Sequence, residues 1–382
     1  MRVVVVGSGA VGLSYGARLL EAEVLTKARP DLDVQFVARR DHQYLRRHGF
    51  TMRSPDGHLT FSPHQLKGKV HTTAYDAVCD GTGVDWVLCC VKAYALKDSE
   101  LRASLSALVG PRTRILLVMN GLMCERVMCD WFGAHRVSVG MAFTCVQRHD
   151  PYAAANNNNK TPFALVHHTA FGALQIGHSK DDVGELAHVL DLWRGTTIEH
   201  KVTTTDSLRR TQWTKLAWNV PFSGLSVALG GVTTDVIANG PHFRRLADRI
   251  MRDTISLANA DLSHQHSSSS TPPSSSSSSS SSPSAKLLDA QAVREYCWSL
   301  TDGMGAYRPS TAIDLNTGRE LETEFIFNEP LAQARLLTQL RRGVTPGKPA
   351  VAEAMATDWP HVEAVVDLVN GVATMADLKR RK

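Results

Sequence analysis

The chain has 382 residues, enough for about two or three domains, and is 43% hydrophobic and 21% charged, proportions suited to a globular protein with a sizeable core. A formal charge of +5 over so large a surface is too dilute to mark a nucleic-acid binder and favours anionic small molecules instead. No apolar stretch is long enough to span a bilayer, and the run 3–6 is too short for a secretory signal, so neither a membrane nor a secretory role is expected.

From the N-terminus, short β-branched runs alternate with amphipathic stretches. "RVVVV" (2–6), "VQFVAR" (34–39), "WVLCCVK" (86–92) and "RILLVMN" (114–120) read as buried strands, and 10–22, 93–108 and 122–132 as helices between them. That alternation predicts a parallel sheet covered on both faces. The turn-rich stretch 50–73 reads as a small strand excursion, and 163–177 and 196–203 as strands that extend the sheet. From 204 the pattern turns helical, over 206–229, 233–262, 286–306, 321–342 and 349–357. Two segments stand outside this plan. The serine-rich 267–284 holds no large apolar residue to offset the entropy of ordering, and reads as a disordered insertion between helices. "NNNN" (156–159) reads as a loop tip.

The seven cysteines are odd in number, form no Cys-x-x-Cys pair and sit mostly in apolar segments, which predicts reduced, buried thiols and a cytoplasmic compartment. His264 and His266 flank the serine tract with no thiol or carboxylate arranged around them, so no metal site is expected. The short basic clusters at 208–212 and 379–382 read as solvated surface.

The first strand stops on "GSGAVG", residues 7–12, and a helix follows. In that setting Gly7 makes the tight turn, Gly9 admits a pyrophosphate to the backbone, and Gly12 lets helix and strand pack closely. Ser8, Ala10 and Val11 complete the loop, whose helix N-terminus offers N–H donors to phosphates. Any strand–turn–helix of small residues can show three such glycines. The position at the head of the alternation favours a dinucleotide.

At the end of the next strand an NAD site usually carries Asp or Glu for the ribose hydroxyls. Here Arg39 and Arg40 stand there, and a guanidinium suits a 2′-phosphate in charge and geometry, which points to NADPH. Asp41 follows one residue later, which keeps NAD open, and is assigned to capping the next helix. Lys92 and Asn120 fall at predicted strand ends, the edge that faces the ligand crevice in open α/β sheets.

The helical half opens with "QWTKLAWNVPFSG" (212–224). Lys215 and Asn219 are spaced i, i+4 and share one face, with Trp213, Leu216 and Ala217 on the other. Ser223 lies a turn further on, past Pro221, which is expected to kink or end the helix. Lys215 reads equally as a desolvated proton donor or as a lysine snorkelling to solvent. Ser310 precedes a turn-rich stretch, and Glu322 is read as opening a helix that runs to about residue 342.

Taken in order, "VVGSGAVG", "CCVKAY", "VMNGL", "WTKLAWN", "RPSTAID", "GRELETE" and "GVTPGKP" resemble the ketopantoate reductase (2-dehydropantoate 2-reductase) family over almost the whole chain outside 267–284. The resemblance implies an α/β fold: an N-terminal Rossmann-type doubly wound sheet that binds NADPH, 1–203, then a mainly α-helical substrate and catalytic domain, 204–382, with the active site between them. It implies reduction of a 2-oxo acid to a 2-hydroxy acid, with 2-dehydropantoate leading, as in pantothenate biosynthesis. Lys215 matches the family's catalytic lysine and Glu322 its site glutamate. Lys92 and Asn120 match residues at the nicotinamide end, and Asn219 and Ser310 match substrate-binding positions. Ser223 stands where the family usually has a second asparagine, and with Pro221 and "TEFIFNE" (323–329) it departs from the family in the substrate wall. A same-fold reductase of another 2-oxo acid and a non-catalytic NADP(H)-binding protein are the alternatives. The oligomeric state is left open, a homodimer being one option.

Overall fold

Val3 to Val6 are each at most 4% exposed, buried on both sides as a strand in the middle of a parallel array must be. A computed structural model describes residues 1–149, 165–269, 287–344 and 357–380. It divides into two units, one of Met1–Asn120 with Cys124–Leu208, the other of Gly121–Met123 with Arg209–Lys382.

The strands of the first unit are β1 (Arg2–Val6), β2 (Asp33–Val37), β3 (Phe50–Arg53), β4 (Leu59–Phe61), β5 (Val70–His71), β6 (Trp86–Cys89), β7 (Arg114–Leu117), β8 (Val137–Arg148), β9 (Val166–His178) and β10 (Val202–Thr204). Among the described residues they form one sheet in the order β4-β3-β9-β8-β7-β6-β1-β2-β5, with β10 on β9. The block β5-β2-β1-β6-β7-β8 is parallel throughout, β9 runs antiparallel to β8, and the β3–β4 hairpin closes the far side. The helices are α1 (Ala10–Leu20), α2 (His42–His48), α3 (Ser99–Ser106), α4 (Glu125–Phe132) and α5 (Val183–Trp193). Leu13 and Leu20 of α1 and Val189, Leu192 and Trp193 of α5 pack into the sheet's core, each such buried side chain contributing about 1.5–3 kcal/mol.

The second unit is helical: α6 (Leu208–Ala228), α7 (Thr234–Asn239), α8 (Pro241–Ser269), α9 (Ala290–Met304), α10 (Ser310–Asn316), α11 (Glu329–Arg341) and α12 (Pro360–Arg380). Its core joins Trp213 and Phe222 of α6, Ile250 and Met251 of α8, Leu331 and Leu337 of α11, and Val362, Val365 and Val369 of α12. A Cβ on Gly224 would stand 2.6 Å from a methyl of Val365, so this glycine lets α6 and α12 approach closely. The fold class is therefore the expected one, a doubly wound, mainly parallel sheet followed by a helical unit. No helix among the described residues is long and apolar enough to cross a membrane.

Several elements differ from expectation. The parallel strands stop at Val37, Cys89 and Leu117, so Arg39, Lys92 and Asn120 lie in the loops beyond them. β8 and α5 carry no expected counterpart, although Asp182, whose carboxylate accepts the amides of Gly184 and Glu185, marks the start of α5 in sequence. The helix expected over 233–262 breaks at Gly240 and then continues through Ser269, so 267–269 close α8 and the insertion is shorter at that end. The rest of the serine tract, the asparagine tip and nearly all of 349–357 lie outside the described residues. α12 was not anticipated. Pro221 does not end its helix: α6 runs through it, with Val220 and Phe222 on either side at 0% exposure. The proline removes one backbone bond, and burial of its neighbours holds the turn in place.

Candidate functional site

In the first unit, Val37 pairs with Val6, Val6 with Cys89, and Cys89 with Leu117. Four adjacent parallel strands therefore end flush, and the loops that leave them share one edge. The chain passes from β1 to β2 on one side and later returns to β6 on the other, which makes this the switch point where open α/β sheets bind ligands. The glycine loop 7–12 leaves β1 there, Arg39 and Arg40 leave β2, Lys92 leaves β6 and Asn120 leaves β7.

The three glycines answer to different demands. Gly7 has φ +105°, and a Cβ on it would lie 2.9 Å from the Cys90 carbonyl oxygen, so the loop presses on the segment that leads to Lys92. A Cβ on Gly12 would lie 1.9 Å from the Gly7 carbonyl oxygen. Gly9 is exposed, has an ordinary φ of −71°, and a Cβ built on it meets no described atom within 4 Å. No packing demand of the chain asks for glycine at that point. A ligand that must reach the backbone there does, and Gly9 is also the residue that precedes α1, whose start has no side-chain cap and so leaves its first N–H groups for an anion. The loop thus fits the pyrophosphate of a dinucleotide.

Arg39 and Arg40 are both exposed at the exit of β2. Asp41 is not. It precedes α2 but makes no side-chain cap. It is 2% exposed, its Oδ1 lies 2.6 Å from a terminal nitrogen of Arg148, and its Oδ2 accepts the Ser8 hydroxyl at 3.2 Å. The assignment of Asp41 to helix capping is corrected accordingly: the buried guanidinium of Arg148, at the end of β8, outcompetes the helix amides for the carboxylate. Lys92 and Asn120 are half-buried.

In the second unit, Lys215, Asn219 and Ser223 form a stripe along α6 and are 9%, 5% and 4% exposed. Lys215 is buried, whereas a snorkelling lysine keeps its head in water, so the exposed-face reading does not describe it. A polar stripe buried beside Trp213, Leu216, Ala217 and Val220 is costly unless each group is engaged. Neighbouring groups fix the helix. Asp261 of α8, 0% exposed, accepts from Arg209 Nε at 2.6 Å, from Trp213 Nε1 at 2.7 Å and from Gln333 Nε2 at 2.7 Å, tying the start of α6 to α8 and α11. One turn on, the Trp218 ring stacks on Phe222 at 5.2 Å and its Nε1 donates to Thr301 at 3.0 Å. Nothing in the spacing of residues singled out Asp261, because its partners come from two other helices, α6 and α11.

Glu322 is 6% exposed and stands outside any helix, in the segment between α10 and a π-helical turn, Glu324–Asn328, that leads into α11. Its expected place at a helix start is corrected: the turn begins two residues later. Ser310 is half-buried and opens α10 in place of preceding a turn-rich stretch. The dipeptide 120–121 is more than a turn. Gly121 has φ +120°, a Cβ on it would meet Phe325, and the next amide, of Leu122, donates to the Phe325 carbonyl at 2.7 Å. Among the described residues no group of three or more His, Cys, Asp or Glu is arranged to hold a metal. Cys89, Cys90, Cys124, Cys145 and Cys297 are buried free thiols, and burial pushes Cys89 and Cys297 up to about 12.

Residues 3–181 match the family model described as ketopantoate reductase PanE/ApbA, and residues 207–339 match its C-terminal counterpart. A curated 2-dehydropantoate 2-reductase of a Nostoc species is 24% identical over 340 residues, 87% of this chain and 88% of that one. Among solved structures, a 2-dehydropantoate 2-reductase from Geobacter metallireducens superposes with a TM-score of 0.72 at 28% identity, covering 97% of this chain and 99% of that one. A D-mandelate dehydrogenase solved with NADH and anilino(oxo)acetate shares the fold, with a TM-score of 0.69 at 14% identity over 99% of each chain.

Proposed function

The chain belongs to the ketopantoate reductase family, and on that premise we propose that it reduces a 2-oxo acid to the 2-hydroxy acid with NADPH, 2-dehydropantoate being the leading substrate. Such a step would place it in pantothenate biosynthesis. The observation that carries the reading is the buried stripe of Lys215, Asn219 and Ser223 on α6.

The first unit would hold the cofactor. Gly7, Ser8, Gly9, Ala10, Val11 and Gly12 take the pyrophosphate on backbone N–H groups, and Arg39 takes the 2′-phosphate. Lys92 and Asn120 serve the nicotinamide end. The reduced nicotinamide, when bound, supplies a hydride to the ketone carbon.

The second unit would hold the substrate and the proton. As negative charge gathers on the ketone oxygen, the Lys215 ammonium stabilises it and donates a proton to it, a general-acid contribution of about 10²–10⁴-fold. Glu322 orients Lys215 or accepts a substrate hydroxyl. Asn219 and Ser310 hold the substrate's polar groups, its carboxylate included.

Ser223 favours a second reading within the same chemistry. A serine is shorter than the asparagine usual in the family, and here it is buried, 4% exposed, beside the tight Gly224 packing. The wall it shapes suits a different or bulkier 2-oxo acid. A panel of branched, unbranched and aryl 2-oxo acids, assayed by NADPH and NADH oxidation, separates the readings. Ketopantoate should give the highest kcat/KM; another acid ranking first selects the second reading. Tight NADPH binding with no turnover on any acid would make the protein a cofactor-binding one without catalysis.

A further inference from the structure

We propose that Arg148 sets cofactor choice by holding the Asp41 carboxylate away from the cofactor; this rests on the reading of loop 7–12 as a dinucleotide site. β8 pairs with β7 only through Val137, Ser138 and Val139, so residues 140–148 run on past the carboxyl ends of the parallel strands. At about 3.3 Å per residue that overshoot is long enough to carry Arg148 across the edge where the loops of β1 and β2 leave the sheet. There the buried Arg148 side chain meets the buried Asp41 carboxylate at 2.6 Å.

Asp41 is the third residue of "RRD" at the exit of β2, and it touches the glycine loop through Ser8 at 3.2 Å. A carboxylate beside that loop is what an NAD site offers to ribose hydroxyls. It is also what a 2′-phosphate must avoid, because two anions close together in a partly desolvated place repel strongly. Arg148 answers both. It neutralises the carboxylate and turns one of its oxygens away, so Arg39 and Arg40 are the charges that an incoming phosphate meets. Arg40 Nε lies 3.4 Å from the same Oδ1, on the exposed side. Arg148 is thus a positioning residue, acting on the cofactor through Asp41. Removing one member of a buried pair leaves the other uncompensated.

The test is equilibrium binding of NADPH and NADH to the full chain, read by nicotinamide fluorescence, for wild type, Arg148→Ala, Arg148→Lys, Asp41→Asn and the Asp41→Asn/Arg148→Ala pair. Arg148→Ala should lower the NADPH:NADH preference about tenfold, by weakening NADPH and strengthening NADH. Arg148→Lys, which keeps the charge, should retain most of the preference. The double variant should recover it, because the carboxylate that Arg148 restrains is gone. Equal weakening of both cofactors in Arg148→Ala, or a double variant as impaired as the single one, overturns the proposal. Should Arg148→Ala fail to fold, Asp41→Asn decides alone. A restrained carboxylate can be amidated with the preference kept, whereas a drop in NADH affinity shows that Asp41 already serves the ribose. Failure of the wild-type protein to bind either nucleotide would remove the dinucleotide reading itself, which the other outcomes leave standing.

Discussion

Gly9 and Gly12 stand three residues apart and should respond oppositely to a single methyl group. A Cβ on Gly12 collides with the Gly7 carbonyl at 1.9 Å, so Gly12→Ala should destabilise the first unit by roughly 3 kcal/mol. A Cβ on Gly9 meets nothing described within 4 Å at a φ of −71°. Gly9→Ala should cost about 1 kcal/mol or less, yet weaken NADPH about tenfold or more, by standing where the pyrophosphate must approach. Thermal melts paired with nucleotide titrations read both; a Gly9→Ala protein that binds NADPH normally would remove the pyrophosphate from that loop. The glycine spacing was legible in sequence because it is local. The engagement of Asp41 was not, since its partner Arg148 lies more than a hundred positions away on a strand that overshoots its neighbours.

At the scale of elements, the strands that read most clearly in sequence are the short β1, β2, β6 and β7, whose residues are mostly apolar and buried. β9 falls on the stretch 163–177 that reads as a strand, whereas β8 is long and half-buried, and its interleaved polar residues dilute the pattern. Pro221 misled for a related reason: the rule against proline in helices is local, and the packing of Val220 and Phe222 that overrides it is not. The β5 and β9 strands also carry a pH dependence. His71 of β5 and His167 and His168 of β9 are held below the usual imidazole range, burial being the first cause in each. The His168 ring packs against the Ser54 hydroxyl at 2.8 Å, and its other nitrogen meets the Ala170 carbonyl at 3.0 Å. A depressed imidazole is neutral in the folded state, while the unfolded chain takes up the proton near pH 6.5, so folding is fully favoured above about pH 6.5 and loses ground below it. The melting temperature should be flat from about pH 8 to 7 and fall on acidification below 6.5; a melting temperature that rises over that range contradicts the assignment.

For the whole molecule, the chain keeps two kinds of residue apart in sequence and assigns them to two units. Gly7, Gly9, Gly12, Arg39, Lys92 and Asn120 belong to the first, and Lys215, Asn219, Ser223, Ser310 and Glu322 to the second. The change from a β-branched, glycine-punctuated half to a helical one is visible in sequence, but the grouping of Gly121–Met123 with the helical unit is not. What could not be read is which polar residues of the helical half are buried, since burial of Lys215, Asn219 and Glu322 is a property of assembled helices and of no single periodicity. In the proposed reaction Lys215 supplies the proton to the ketone oxygen of a 2-oxo acid. NADPH oxidation with ketopantoate by wild-type and Lys215→Ala proteins, alongside their Kd for NADPH, tests this. The wild type should turn over, and the variant should bind NADPH as before with kcat lowered by about 10²–10⁴-fold. A Lys215→Ala protein that turns over at the wild-type rate would contradict it.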